Sequence, residues 1–207
     1  MVPDNPYNAR QADVVNQVYE QLINQFLSWA QQQDPICAVI QIGSRTRQDH
    51  PADEWADVDL IIYATDFKDY MTNTAWLETI APVWICIPPT SAGMRAETLV
   101  MFEGGYNIDF VFRSLEALST EALKKDPGFH RGARILLDRD GLAARTLPKE
   151  FEVPARQPPS EDYFRLMCNG FWYTAVYVAR QICRGELWRA KRHDMLSLKA
   201  AVLYMLE

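Results

Sequence analysis

Gly43-Ser44-Arg45, a gap of twelve residues counted from Arg45 to Ala56, and Asp57-Val58-Asp59-Leu60-Ile61-Ile62-Tyr63 form the stretch on which the reading of this chain turns. The run from Val58 to Tyr63 has the composition of a buried strand. Side chains on a strand alternate between faces, so Asp57 and Asp59 point the same way, with Cβ atoms roughly 6–7 Å apart. That spacing lets both carboxylates ligate one cation or two adjacent ones. Two like charges at the mouth of an apolar strand repel unless a partner neutralises them, which points to Mg2+. The alternative is a pair of aspartates capping a turn at a strand entry.

Upstream, Ala38-Val39-Ile40-Gln41-Ile42 reads as a second strand that runs directly into Gly43-Ser44. Glycine tolerates the backbone angles of a loop that closes over phosphate oxygens, and Ser44 brings a hydroxyl and a backbone N–H. Arg45 is either a phosphate contact or a surface charge. The rest of the gap, with Arg47, Asp49, His50, Asp53 and Glu54 around Pro51, reads as a polar loop in which His50 is solvated.

Composition narrows the classes. A chain of 207 residues, 48% of them apolar, can fill one ordinary domain or two small ones. A net charge of −6 argues against a protein whose main work is to hold duplex nucleic acid, and suits a cationic small substrate. Cys37, Cys86, Cys168 and Cys183 form no C-x-x-C pair and lie in apolar segments, so buried free thiols are expected rather than zinc or disulfides. No apolar run approaches the ~20 residues of a membrane span, and the amino terminus lacks a signal layout, so the expectation is a cytoplasmic protein with no membrane partner.

The remaining elements follow from periodicity. Val15, Tyr19, Leu22, Phe26 and Trp29 make one stripe of a helix over Ala12–Gln31, with Asn8 and Gln11 resembling a capping box and Asp34-Pro35 closing it. A short helix is expected over Tyr70–Glu78 and a strand over Val83–Ile87. Thr98–Phe102 and Asn107–Phe112, joined by Glu103-Gly104-Gly105-Tyr106, read as an antiparallel hairpin. On its second strand Asp109 interrupts an apolar pattern, as an edge acid facing water or as a third carboxylate beside Asp57 and Asp59; the paired acids upstream favour the second. Arg134–Asp138 is a sixth short strand. Four prolines between Pro148 and Pro159 mark a linker, giving bodies at 1–147 and 160–207. The second body holds an aromatic-rich helix from Ser160, with Phe164, Phe171, Trp172, Tyr173 and Tyr177 expected as core, and a helix from Glu186 to the end with a Leu196, Ala200, Leu203, Leu206 stripe.

Gly43-Ser44, the gap, Asp57-x-Asp59 and the later Asp109 together resemble the polymerase-β-like nucleotidyltransferase superfamily. Ile42-Gly43-Ser44-Arg45, Phe102-Glu103-Gly104-Gly105-Tyr106-Asn107-Ile108-Asp109, and Pro159-Ser160-Glu161 leading to Cys168-Asn169-Gly170-Phe171-Trp172 resemble the aminoglycoside 6-adenylyltransferase family, which inactivates streptomycin. The resemblance implies an α+β fold: a mixed β-sheet nucleotidyltransferase domain with flanking helices, followed by an α-helical domain, with ATP and substrate held between. It implies that Gly43, Ser44 and Arg45 cradle the triphosphate, that Asp57 and Asp59 hold Mg2+, and that Asp109 is a third ligand or the base. Lys191 matches a family lysine that could reach phosphate. The chain departs from the family at Asn107, where a basic residue is expected, and at Gly104 and Gly170, where acids are usual. The helical domain is expected to be incomplete.

On this reading AMP passes from ATP to a hydroxyl of an aminoglycoside, releasing pyrophosphate. The alternatives are the same transfer to another small molecule or to a protein hydroxyl, and a nucleotide-binding module without turnover.

Overall fold

The structure is a computed structural model that describes residues 6–47, 52–89, 96–153 and 158–206. Contacts divide the chain into two units, Met1–Pro154 and Ala155–Glu207. The first is built on a six-stranded mixed sheet. Its strands are β1 (Ile36–Ile42), β2 (Val58–Ala64), β3 (Val83–Ile87), β4 (Glu97–Phe102), β5 (Tyr106–Ser114) and β6 (Arg134–Asp138), in the spatial order β3-β4-β5-β2-β1-β6. Every neighbouring pair is antiparallel except β2 and β5, which run parallel.

Alternation along the central strands gives the sheet two buried faces. Val39, Leu60, Ile62, Phe110 and Phe112 face helix α1 (Pro6–Ala30), which buries Tyr19, Leu22, Ile23 and Phe26 against them. Phe26 lies 5.1 Å from the Phe110 ring, and Trp29 stacks on Trp76 at 4.5 Å. The opposite face packs Ile40, Ile61 and Tyr63 on Leu118, Leu123, Phe129 and Ala143, the last three from or beside α3 (Thr120–Lys125) and α4 (Leu142–Thr146). Gly104 and Gly105, at φ +91° and +83°, let the chain reverse between β4 and β5.

Several expectations need correction. Helix α1 begins at Pro6, so Asn8 lies inside it and does not cap it. The helix expected over Tyr70–Glu78 is two pieces, α2 (Lys68–Thr72) and a 3-10 turn at Ala75–Thr79. Asn73 adopts an extended backbone and its Oδ1 accepts a bond from the Ala75 N–H, which breaks the run. None of the four cysteines is fully buried, and Cys183, the last residue of its helix, is exposed. His50 lies outside the described residues.

The second unit is helical: α5 (Glu161–Cys183), α6 (Leu187–His193) and α7 (Lys199–Leu206), with a π turn at Asp194–Leu198 between the last two. Ser160 caps α5 by accepting the Tyr163 N–H. The aromatic stripe expected as core is partly open, with Trp172 67% and Tyr173 77% exposed, as are Leu196 and Leu203. So short a helical body has too little interior to cover every apolar side chain. No described helix is long and apolar enough to cross a membrane.

Phe26, with no exposed surface, touches three other rings of the core. Phe26→Ala should lower unfolding free energy by about 3–5 kcal/mol, read from the midpoint of a urea titration.

Candidate active site

The loop joining β1 to β2 carries glycine and serine at one foot and aspartate at the other. Ile42 is the register partner of Asp59, so the chain turns at Gly43 directly beside the Asp59 carboxylate. Gly43 has φ +82°, and a Cβ built there would overlap Asp59 Oδ2. Glycine is therefore required twice, for its backbone angle and for the space it leaves. Ser44 opens a 3-10 turn, Ser44–Thr46, which Thr46 Oγ1 braces by sharing its one hydroxyl hydrogen between the carbonyls of Gly43 and Gly132, each 3.0 Å away. Ser44 Oγ is shielded from solvent and has no hydrogen-bond partner among the described residues. A buried hydroxyl left unpaired is costly, and a phosphate oxygen would satisfy it.

The acids come from the parallel pair. Asp59 is opposite Asp109 in the β2/β5 register, on strands spaced about 4.8 Å apart. Asp57 precedes Asp59 by two residues. Desolvation by burial, followed by the charges of Asp57 and Glu97, pushes the Asp59 carboxyl up to about 6, while Arg47 draws it back. Desolvation, then Asp59, Asp57 and Glu97, lifts Asp109 to about 7. The repulsion anticipated from Asp57-x-Asp59 thus reaches Asp109 as well.

Among the described residues no three His, Cys, Asp or Glu side chains gather closely enough to cage an ion. The acids fit Mg2+ in another way, since that ion binds through one or two carboxylates and completes its shell with water and substrate phosphate oxygens. Beside an unsatisfied Ser44 hydroxyl, the arrangement suits a cation that arrives with a phosphate chain.

Two residues were missed by sequence reasoning. Glu97 opens β4 paired with Val111, two positions along from the Leu99–Asp109 pair, which sets it on the Asp109 side of the sheet. The alternation Glu97, Leu99, Met101 was the available signal, once the strand is begun one residue earlier. Arg47 is exposed and acts on Asp59 from the end of the serine turn, a placement with no periodic signature. Arg45 makes contacts within the protein: its Nε donates to the carbonyls of Ala56 and Asp57, and its Nη1 to Asn16 Oδ1. Lys191 lies on α6 of the second unit with its side chain exposed.

A family model described as streptomycin adenylyltransferase matches residues 17–207. The chain belongs to this family. Among curated relatives, it is 25% identical over 182 residues to the aminoglycoside 6-adenylyltransferase of Bacillus subtilis, a match that takes in 84% of this chain and 62% of that protein. Over 173 residues it is 26% identical to the enzyme of the same name from Campylobacter jejuni, covering 81% and 58%. The chain thus spans about three fifths of the length of these family members. A solved structure, the crystal structure of an aminoglycoside 6-adenyltransferase from Bacillus subtilis, shares 22% identity over 90% of this chain and 65% of that one, with a TM-score of 0.41.

The raised carboxyls have a thermodynamic signature. Each holds a proton in the folded state that the unfolded chain, at about 3.8, has released. Stability without divalent cation therefore falls as pH rises from about 4 through 7, and the penalty is complete above pH 7. Asp109→Asn should unfold at higher urea than the parent at pH 8, by about 1–2 kcal/mol after screening by the solvent that reaches the site, and match it near pH 4.

Proposed function

We propose that this chain is an adenylyltransferase that moves AMP from ATP to a hydroxyl of an aminoglycoside such as streptomycin, with release of pyrophosphate and loss of the antibiotic's action. The observation that carries the reading is the meeting of Gly43 and the unpaired Ser44 hydroxyl with Asp59, itself opposite Asp109. Family membership supports the chemistry, and the overall charge of −6 suits a cationic acceptor.

Gly43 and Ser44 bind the triphosphate, with Arg47 adding positive charge at the end of the same turn. Asp57 and Asp59 are the residues that would hold Mg2+, which when bound would neutralise charge on the reacting phosphate and the leaving pyrophosphate. Asp109 takes the proton of the attacking hydroxyl on a carboxylate oxygen. The supply of ATP sets the reaction in the cytoplasm.

A second reading keeps the transfer but changes the acceptor. Gly170 stands where relatives were expected to carry an acid, and a Cβ added there meets nothing within 4 Å, so an acid would fit without strain yet is absent. Incubating the protein with ATP, Mg2+ and streptomycin should yield a product heavier by one adenylate in the mass spectrum. Asp59→Asn should reduce its formation to background. Adenylate on another small molecule or a protein hydroxyl, with none on any aminoglycoside, would favour the second reading, and ATP binding with no pyrophosphate released on any acceptor would contradict both.

A further inference from the structure

The parallel ladder between β2 and β5 ends at the Val58–Ile108 pair, one step short of Asp57 and Asn107. At that step each strand still has a backbone group to satisfy. The Asp57 carbonyl accepts from Arg45 Nε at 3.0 Å, and the Ala56 carbonyl from Arg45 Nη2 at 2.7 Å. The Asn107 N–H donates to the hydroxyl of Tyr19 at 3.2 Å. These two side chains are themselves joined, the Arg45 guanidinium carbon lying 4.0 Å from the centre of the Tyr19 ring. Asn16, one turn earlier on α1, takes Arg45 Nη1 at 2.6 Å. Tyr106 meets the Tyr19 ring edge-on at 5.3 Å.

Arg45 and Tyr19 therefore stand in for the missing rung of the ladder. One end grips the residue that carries the first acid, and the other grips β5 two residues before Asp109. We propose that Arg45 and Tyr19 are positioning residues whose cation–aromatic contact fixes Asp57, one of the two carboxylates that hold the divalent cation, against β5, and with it the site's affinity for that cation; Arg45 is not a phosphate ligand. This inference rests on the reading above that the acids hold such a cation. Its chemistry demands arginine: a planar guanidinium can lie on a ring while its edge donates to two adjacent carbonyls, whereas a lysine ammonium offers one compact point of donation. Tyrosine is demanded as well, because phenylalanine keeps the ring and loses the acceptor for Asn107.

The test uses the full chain with Arg45→Lys, Tyr19→Phe and the double variant, Mn2+ as the probe ion followed by electron paramagnetic resonance, and ATP-dependent transfer measured alongside. Each single variant should weaken Mn2+ binding by about tenfold, the scale of lost outer-shell support. The double variant should be little worse than either, since both break one rung. KM for ATP should stay within about twofold while kcat falls, and amide exchange at Asn107 should quicken in Tyr19→Phe with the urea midpoint little changed. A raised KM for ATP in Arg45→Lys with Mn2+ affinity unchanged would make Arg45 a phosphate ligand and overturn the proposal. Unchanged exchange at Asn107 in Tyr19→Phe would overturn it too. A parent protein that takes up no Mn2+ would instead overturn the carboxylate reading itself, and this inference with it.

Discussion

The parallel pairing of β2 with β5 places Asp59 opposite Asp109, and like charges held this close in a half-buried site raise each other's proton affinity. The rest of the first unit can be understood as support for that juxtaposition. Two buried faces hold the sheet rigid, with α1 on one side and the Leu118, Leu123 and Phe129 cluster on the other. Asp59 and Asp109 form the second pair of the β2/β5 ladder, next to the end at which Val58 meets Ile108. Such an arrangement costs stability when nothing binds, which is the expected condition of a site shaped for a charged ligand rather than for its own folding.

Glycine at position 43 shows how tightly the loop and the acids are joined. The turn that presents Ser44 passes so near Asp59 that no side chain fits between them. On the proposed reading a phosphate on the serine turn and a cation on the carboxylates would be neighbours, each offsetting the other's charge. Arg45 ties the two feet of the same loop together through the carbonyls of Ala56 and Asp57.

Much of this was legible in the sequence, for definite reasons. The stripe through Tyr19, Leu22 and Phe26 has a helical period, and β1, β2 and β5 are largely apolar runs, the last two interrupted by Asp59 and Asp109, so these elements announce themselves. The Gly43-Ser44 and Asp57-x-Asp59 signature depends on backbone geometry within a few residues, which local pattern captures. Asp109 needed the upstream pair to be noticed. What could not be read depends on contacts between distant segments. Arg45 finds its carbonyls eleven and twelve residues away across a loop, and Tyr19 meets Asn107 from a different element altogether. The break at Asn73 is a side-chain bond competing with a helix. The exposure of Trp172 and Tyr173 follows from the small interior of the helical unit, whereas helical periodicity alone assigns such residues to a core.

The central claim is that Asp57 and Asp59 share a divalent cation with the phosphates of a nucleotide resting on Ser44. Anomalous diffraction from crystals of the protein with Mn2+ and a non-hydrolysable ATP analogue tests it most directly. The account predicts an anomalous peak within ligating distance, about 2.1 Å, of carboxylate oxygens of both residues, with a phosphate oxygen beside Ser44 Oγ. A peak away from these acids, or phosphates bound elsewhere than on the Ser44 turn, would contradict it.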